Sequence, residues 1–183
     1  GRGTRENESG RARREVAALQ AYNVMKAKTT ALRGLVALMA GMEGRKSLVL
    51  VAHHFGRYPG REFYLGPRSA PTGMPRERDA RPLLEELAEA ANASGVTLYG
   101  IYPYDRVSMV SAADSPALNP EIASGAYGAD LDAVWMNEMA GLDFVTEKTG
   151  GTTAGHPGLL EQLLEQAGTD LGSFYSIGFP AAG

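Results

Sequence analysis

A chain of 183 residues is long enough to bury one core of ordinary domain size. With 44% hydrophobic and 21% charged residues and a net charge of −3, its balance is globular, and no strong field of either sign argues for nucleic acid or an anionic membrane as partner. The lack of cysteine excludes disulfides, thiolate metal sites and a cysteine nucleophile, and no apolar run approaches the roughly 20 residues of a membrane-spanning helix.

The opening Gly1-Arg-Gly-Thr-Arg-Glu carries neither Met nor an apolar signal core and reads as the edge of an expressed piece or an interior cut. Residues 1–9 are expected as a flexible edge to a single domain over 10–183. Arg2, Arg5, Arg11, Arg13 and Arg14 are interleaved with Glu6, Glu8 and Glu15, the pattern of a solvated helix start rather than a phosphate-binding arm. Residues 10–43 predict one long helix, because Val16, Leu19, Tyr22, Met25, Leu32, Leu35, Val36, Met39 and Met42 keep close to the helical period. Gly34 is its weak point and Gly44 its C-cap.

An apolar strand follows at 47–52. Residues 53–78 are rich in Gly and Pro and read as a long loop, with a short strand at Phe63, Tyr64 and Leu65. Asp79 caps a helix whose stripe is Leu83, Leu84, Leu87, Ala88 and Ala91, and Gly95 ends it before a second apolar strand at 96–102. A strand that is apolar on both faces has to be covered on both, so strand, helix and strand predict a parallel sheet of the α/β class with a right-handed crossover. A second loop spans 103–128. Asp130 then caps a helix over 130–148 with the stripe Leu131, Val134, Trp135, Met139, Leu142 and Val145. Gly150-Gly151 stops it before a short strand at 152–154. Pro157 opens a last helix with the stripe Leu159, Leu160, Leu163, Leu164 and Ala167, and Ser173 to Phe179 reads as a closing strand.

His53 and His54 fall just past the end of the first strand, where ligands bind in open α/β sheets. Adjacent side chains on an extended chain point opposite ways, which disfavours joint chelation, although one imidazole with Asp105 would make a Zn²⁺-like pair. The plainer reading is a pair of ordinary loop histidines. Ser108, Ser111 and Ser115 lack a G-x-S-x-G setting, and Glu85, Glu86, Glu89, Glu161 and Glu165 fall on solvent faces, so no complete catalytic constellation is present. Phe55, Tyr58, Phe63, Tyr64, Tyr99, Tyr102 and Tyr104, with Arg57, Arg61 and Arg106, have the composition of a protein-binding surface.

Four segments in order, Gly44 to Val51, Leu87 to Ile101, Thr149-Gly150-Gly151 and Leu171 to Phe179, resemble the von Willebrand factor A-related domain of Acidobacteria and some other bacteria. That family shows a GRKxLVLVS strand, an AnraGVtlYaiD helix and strand, a TGG turn and a YYlLGY strand. The resemblance implies a Rossmann-like three-layer sandwich with a mainly parallel sheet in the doubly wound order 3-2-1-4-5-6, of which this chain lacks the N-terminal strands. Strand 47–52 would then present a bare edge. The chain is expected to be the C-terminal half of a longer protein, or a half-domain completed by another chain.

The family's metal-ion-dependent adhesion site uses Asp-x-Ser-x-Ser and a later carboxylate. The first is missing here and Ala52-His53-His54-Phe55 replaces the second, so no cofactor is expected unless the missing half supplies a divalent-cation site. The resemblance implies a non-catalytic protein-interaction or adhesion domain whose partner is another protein or a second chain. Its binding loops would carry His53, His54, Phe55, Arg57, Tyr58, Tyr104, Asp105 and Arg106. The alternatives are a metal-dependent hydrolase using His53, His54 and Asp105, and an oligomeric scaffold pairing through the exposed strand edge. Export to the periplasm is implied by the resemblance alone.

Overall fold

The computed structural model describes residues 2–64, 78–103 and 128–172, with side chains from residue 10 and, in the last stretch, from residue 133. The expected strand at 173–179 and the loop residues Tyr104, Asp105 and Arg106 lie outside the described residues.

The first helix, α1 (Arg2–Met39), runs unbroken through Gly34. It starts ahead of the expected boundary, so the edge expected to be flexible is helical from Arg2, and it ends in a turn before residue 43. Its core face is Ala18, Met25, Thr29 and Val36, with Tyr22, Leu32 and Met39 half-buried beside them. Val16, Leu19, Leu35 and Met42, expected on that face, are exposed. Val16, Leu19 and Leu35 lie roughly 100° or more to either side of the buried row, and Met42 lies beyond the helix end, so none of them reaches the core. Thr29 is tolerated in the core because its hydroxyl lies 3.1 Å from the Met25 carbonyl and 3.0 Å from that of Lys26.

Strand β1 (Lys46–Val51), helix α2 (Arg81–Ala93) and strand β2 (Val96–Ile101) form the expected unit. The strands pair parallel, from Lys46 opposite Val96 to Val51 opposite Ile101. Asp79 acts one residue ahead of the cap position, its Oδ1 accepting from the Arg81 amide at 2.9 Å. Gly95 makes the turn from α2 into β2 at φ +63°, a conformation that glycine adopts at little cost. Strand β3 (Thr153–Ala154) joins the far side of β2, also parallel, giving the order β1-β2-β3.

Helix α3 (Gly128–Lys148) begins before Asp130, which therefore sits inside its first turn rather than capping it. A 3-10 turn (Pro157–Leu159) leads into α4 (Leu160–Gly172). Phe63 and Tyr64 are not in a strand: Arg61–Tyr64 is a 3-10 turn, because the Arg61 and Phe63 amides are bonded to the carbonyls of Tyr58 and Gly60 three residues back.

Alternation along the strands sorts the core into two faces. Leu48, Leu50, Val96 and Leu98 pack with α1, α2 and α3, while Val49, Tyr99 and Ile101 pack with Leu163 and Ala167 of α4. The architecture is thus a small open parallel sheet with helices on both faces. The sheet is narrow, so α4 buries only Leu163 and Ala167, and Leu159, Leu160 and Leu164 of its expected stripe stay exposed. Because β3 is so short, the Leu98 amide has no strand carbonyl beside it. The Thr149 hydroxyl takes that place at 3.0 Å, and lies 2.9 Å from the Val145 carbonyl. Among the described residues no helix is long and apolar enough to cross a membrane.

Candidate functional site

The carboxyl end of β1 delivers the chain into a loop that α3 holds down. Asn137 of α3 grips Tyr58 with both ends of its amide: Oδ1 accepts from the Tyr58 amide at 2.8 Å and Nδ2 donates to the Tyr58 carbonyl at 3.1 Å. The Asn137 carbonyl accepts from the Arg57 amide at 3.2 Å. One turn on, Gly141 lies so near the loop that a Cβ there would run into the Phe55 carbonyl. Between them Glu138 Oε2 accepts from the Phe55 amide at 2.8 Å. The loop is therefore pinned by backbone-directed bonds rather than by side-chain packing alone.

From the other side, Lys28 of α1 reaches the same turn. Its Nζ donates to the carbonyls of His53 at 2.7 Å and His54 at 3.2 Å. Those carbonyls converge because His54 adopts φ 55°, a left-handed conformation. The same kink overturns the expectation that the two imidazoles diverge: their ring centroids are 3.5 Å apart. Burial, as the largest cause, lowers the pKa of both histidines; His54 and Lys28 add to the effect on His53, while on His54 Glu62 opposes it and Lys28 adds to it.

Glu138 is the buried acid of this site, 4% exposed. Burial pushes its carboxyl up to about 7, and Glu62 pushes the same way, against the pull of the Phe55 amide and Lys28. Its Oε1 lies 3.8 Å from Nδ1 of His54, an ion pair only when that ring is protonated. These groups open on a cleft of about 280 Å³ between α1 and the loop, which also meets Glu62, Phe63, Ala21 and Val24. None of the residues lining it is Ser, Thr or Cys. The cleft can bind and exchange a proton, and among the described residues its walls carry no hydroxyl or thiol nucleophile.

The expected site residues fare unevenly. His53 and His54 are brought together. Phe55, expected on the ligand surface, is 1% exposed and belongs to the main core, and Tyr99 and Tyr102 are likewise buried in the sheet. Their apolar rings fill the space that a narrow sheet leaves between helices. Arg57 lies over the Tyr58 ring at 5.0 Å and 3.5 Å from Asp79, so it is engaged within its own loop. Among the described residues no group of three His, Asp or Glu is placed to hold a metal ion. Glu138, Asn137 and Lys28 were not foreseen. Glu138 falls on the apolar stripe between Trp135 and Leu142, and a charged residue at a core position was the available signal.

A second concavity, of about 450 Å³, runs between α1 and β1, lined by Ala31, Leu32, Leu35 and the strand from Leu48 onward. The Lys46 and Ala52 amides donate to Gly95 and Ile101 on the β2 side. By alternation, Ser47, Val49 and Val51 turn their amides and carbonyls to the opposite side, where no described strand pairs with them. Comparison with protein-family models, with curated proteins and with solved structures returns no match for this chain.

Proposed function

We propose that this chain is a non-catalytic protein-interaction module, similar in architecture to the C-terminal half of a von Willebrand factor A-like domain. It takes an extended segment of another polypeptide along the outer side of β1. The observation that carries this reading is the unpaired edge itself: three residues offer backbone donors and acceptors beside an apolar groove, and Val51 at its end is 68% exposed. An exposed apolar strand edge is a template for strand addition, in which backbone bonds give affinity and alternate side chains give specificity. The α1 side of the groove, Ala31, Leu32 and Leu35, would receive those side chains.

The test uses peptides selected on the immobilised chain from a random display library. Bound peptide should slow hydrogen exchange at the Ser47, Val49 and Val51 amides and leave the already paired Leu48 and Leu50 unchanged. Val51→Pro deletes an outward-facing donor at an exposed position and should abolish binding without moving the thermal midpoint. Peptides that bind the variant as well as the native chain would refute edge recognition. Light scattering that shows a dimer split by the same variant would identify a second copy as the occupant.

A further inference from the structure

We infer that the cleft between α1 and the loop after β1 is a binding site for a primary ammonium group carried on a short apolar stem. The cleft is distinct from the outer edge of β1, and its argument is independent of strand addition. Its floor is Glu138 and one wall carries Glu62, while Ala17, Ala21, Val24 and Phe63 supply apolar surface. Two carboxylates thus face one small concavity.

The lining contains a single lysine, Lys28, and its ammonium is already directed to the carbonyls of His53 and His54. His54, whose Nδ1 lies 3.8 Å from Glu138, has its pKa lowered by burial and by Lys28, against the pull of Glu62, and the lowering disfavours the charged ring. Two carboxyl groups thus stand against one ammonium in this lining, whose donors are turned to backbone carbonyls, and a second cation with several N–H donors would balance them; an alkylammonium has three. A divalent metal fits less well, since no group of three suitable ligands is assembled among the described residues. The apolar wall matches an alkyl stem, as pockets combine a few oriented polar groups with apolar lining.

Binding is linked to protons. The groups that face Glu138 are Lys28 from α1, His54 from the loop, and Glu62 from the 3-10 turn. A bound ammonium favours the ionised carboxylate and expels a proton from Glu138 when the group enters protonated.

The experiment is a calorimetric titration of the whole chain with n-butylammonium chloride at fixed ionic strength, with n-butanol as the neutral isostere. Because Glu138 titrates near 7, its ionised fraction rises from about a tenth near pH 6 to about nine-tenths near pH 8, so affinity should rise roughly tenfold across that interval. Glu138→Gln should flatten this dependence. Glu62→Gln, on a half-buried turn where folding is not at stake, should weaken binding roughly tenfold, the loss of one charge-assisted contact. Butanol binding as well as butylammonium, no saturation through the millimolar range, or a pH-independent affinity in the native chain would each overturn the assignment.

Discussion

Replacing Glu138 by Gln keeps an oxygen to accept the Phe55 amide and removes the titration. In the folded chain this carboxyl is raised from its ordinary 4.5 to about 7, so between those values the folded state binds a proton that the unfolded state has released. Its contribution is therefore fully present below about pH 4.5, declines as pH rises towards 7, and is flat above. The slope is about 1.4 kcal/mol per pH unit, and across this window the native chain should lose ~3 kcal/mol relative to Glu138→Gln. Glu138 is buried, so little of this is screened by water. The assay is urea unfolding of both proteins at intervals from acid to neutral pH. The histidine shifts are common to both chains and largely cancel in the difference. Two stability curves that stay parallel from pH 4.5 to 7 would refute a raised Glu138, and with it the view that α3 carries a proton-sensitive hold on the loop.

Gly141→Ala places a methyl against the Phe55 carbonyl; with backbone on both sides, the cost should be roughly 2–4 kcal/mol by chemical denaturation. His54→Gly should be more stable than His54→Ala by about 1 kcal/mol, because only glycine relieves the left-handed φ of 55°. Tyr99→Phe removes a bond of 2.6 Å from the phenol to Asp170 and should cost about 1 kcal/mol. In the native chain that phenol, raised by burial and then by Asp170, should ionise near 12 in an absorbance titration, and the transition should be missing from the variant.

What the sequence made legible follows from which signals are local. Leu84, Leu87, Ala88 and Ala91 recur at helical spacing between two apolar strands, and all four are buried where that pattern puts them. The parallel pairing of those strands follows from the same logic. The first helix is different: apolar residues are spread around it, and the choice between neighbours such as Leu35 and Val36 is made by the core it packs on, not by the helix. The site was less legible still. His53 and His54 were visible as a pair, but their approach depends on a left-handed residue stabilised from α1 and α3, both distant in sequence. Phe55 was misplaced on the surface because loop position suggested exposure, whereas Gly141 lets the loop sink into the core.

The two sides of the sheet are unequal. Next to β2 the partnerless Leu98 amide is satisfied by a helix-end hydroxyl, and β3 is only two residues long, too short to serve as a template. Only the β1 side can extend among the described residues. A building block with two sticky sides grows into a fibre; one with a single sticky side stops after one addition. On the proposed reading, strand addition at this sheet would therefore end after one partner strand among the described residues, because the Thr149 hydroxyl already occupies the Leu98 amide on the other side.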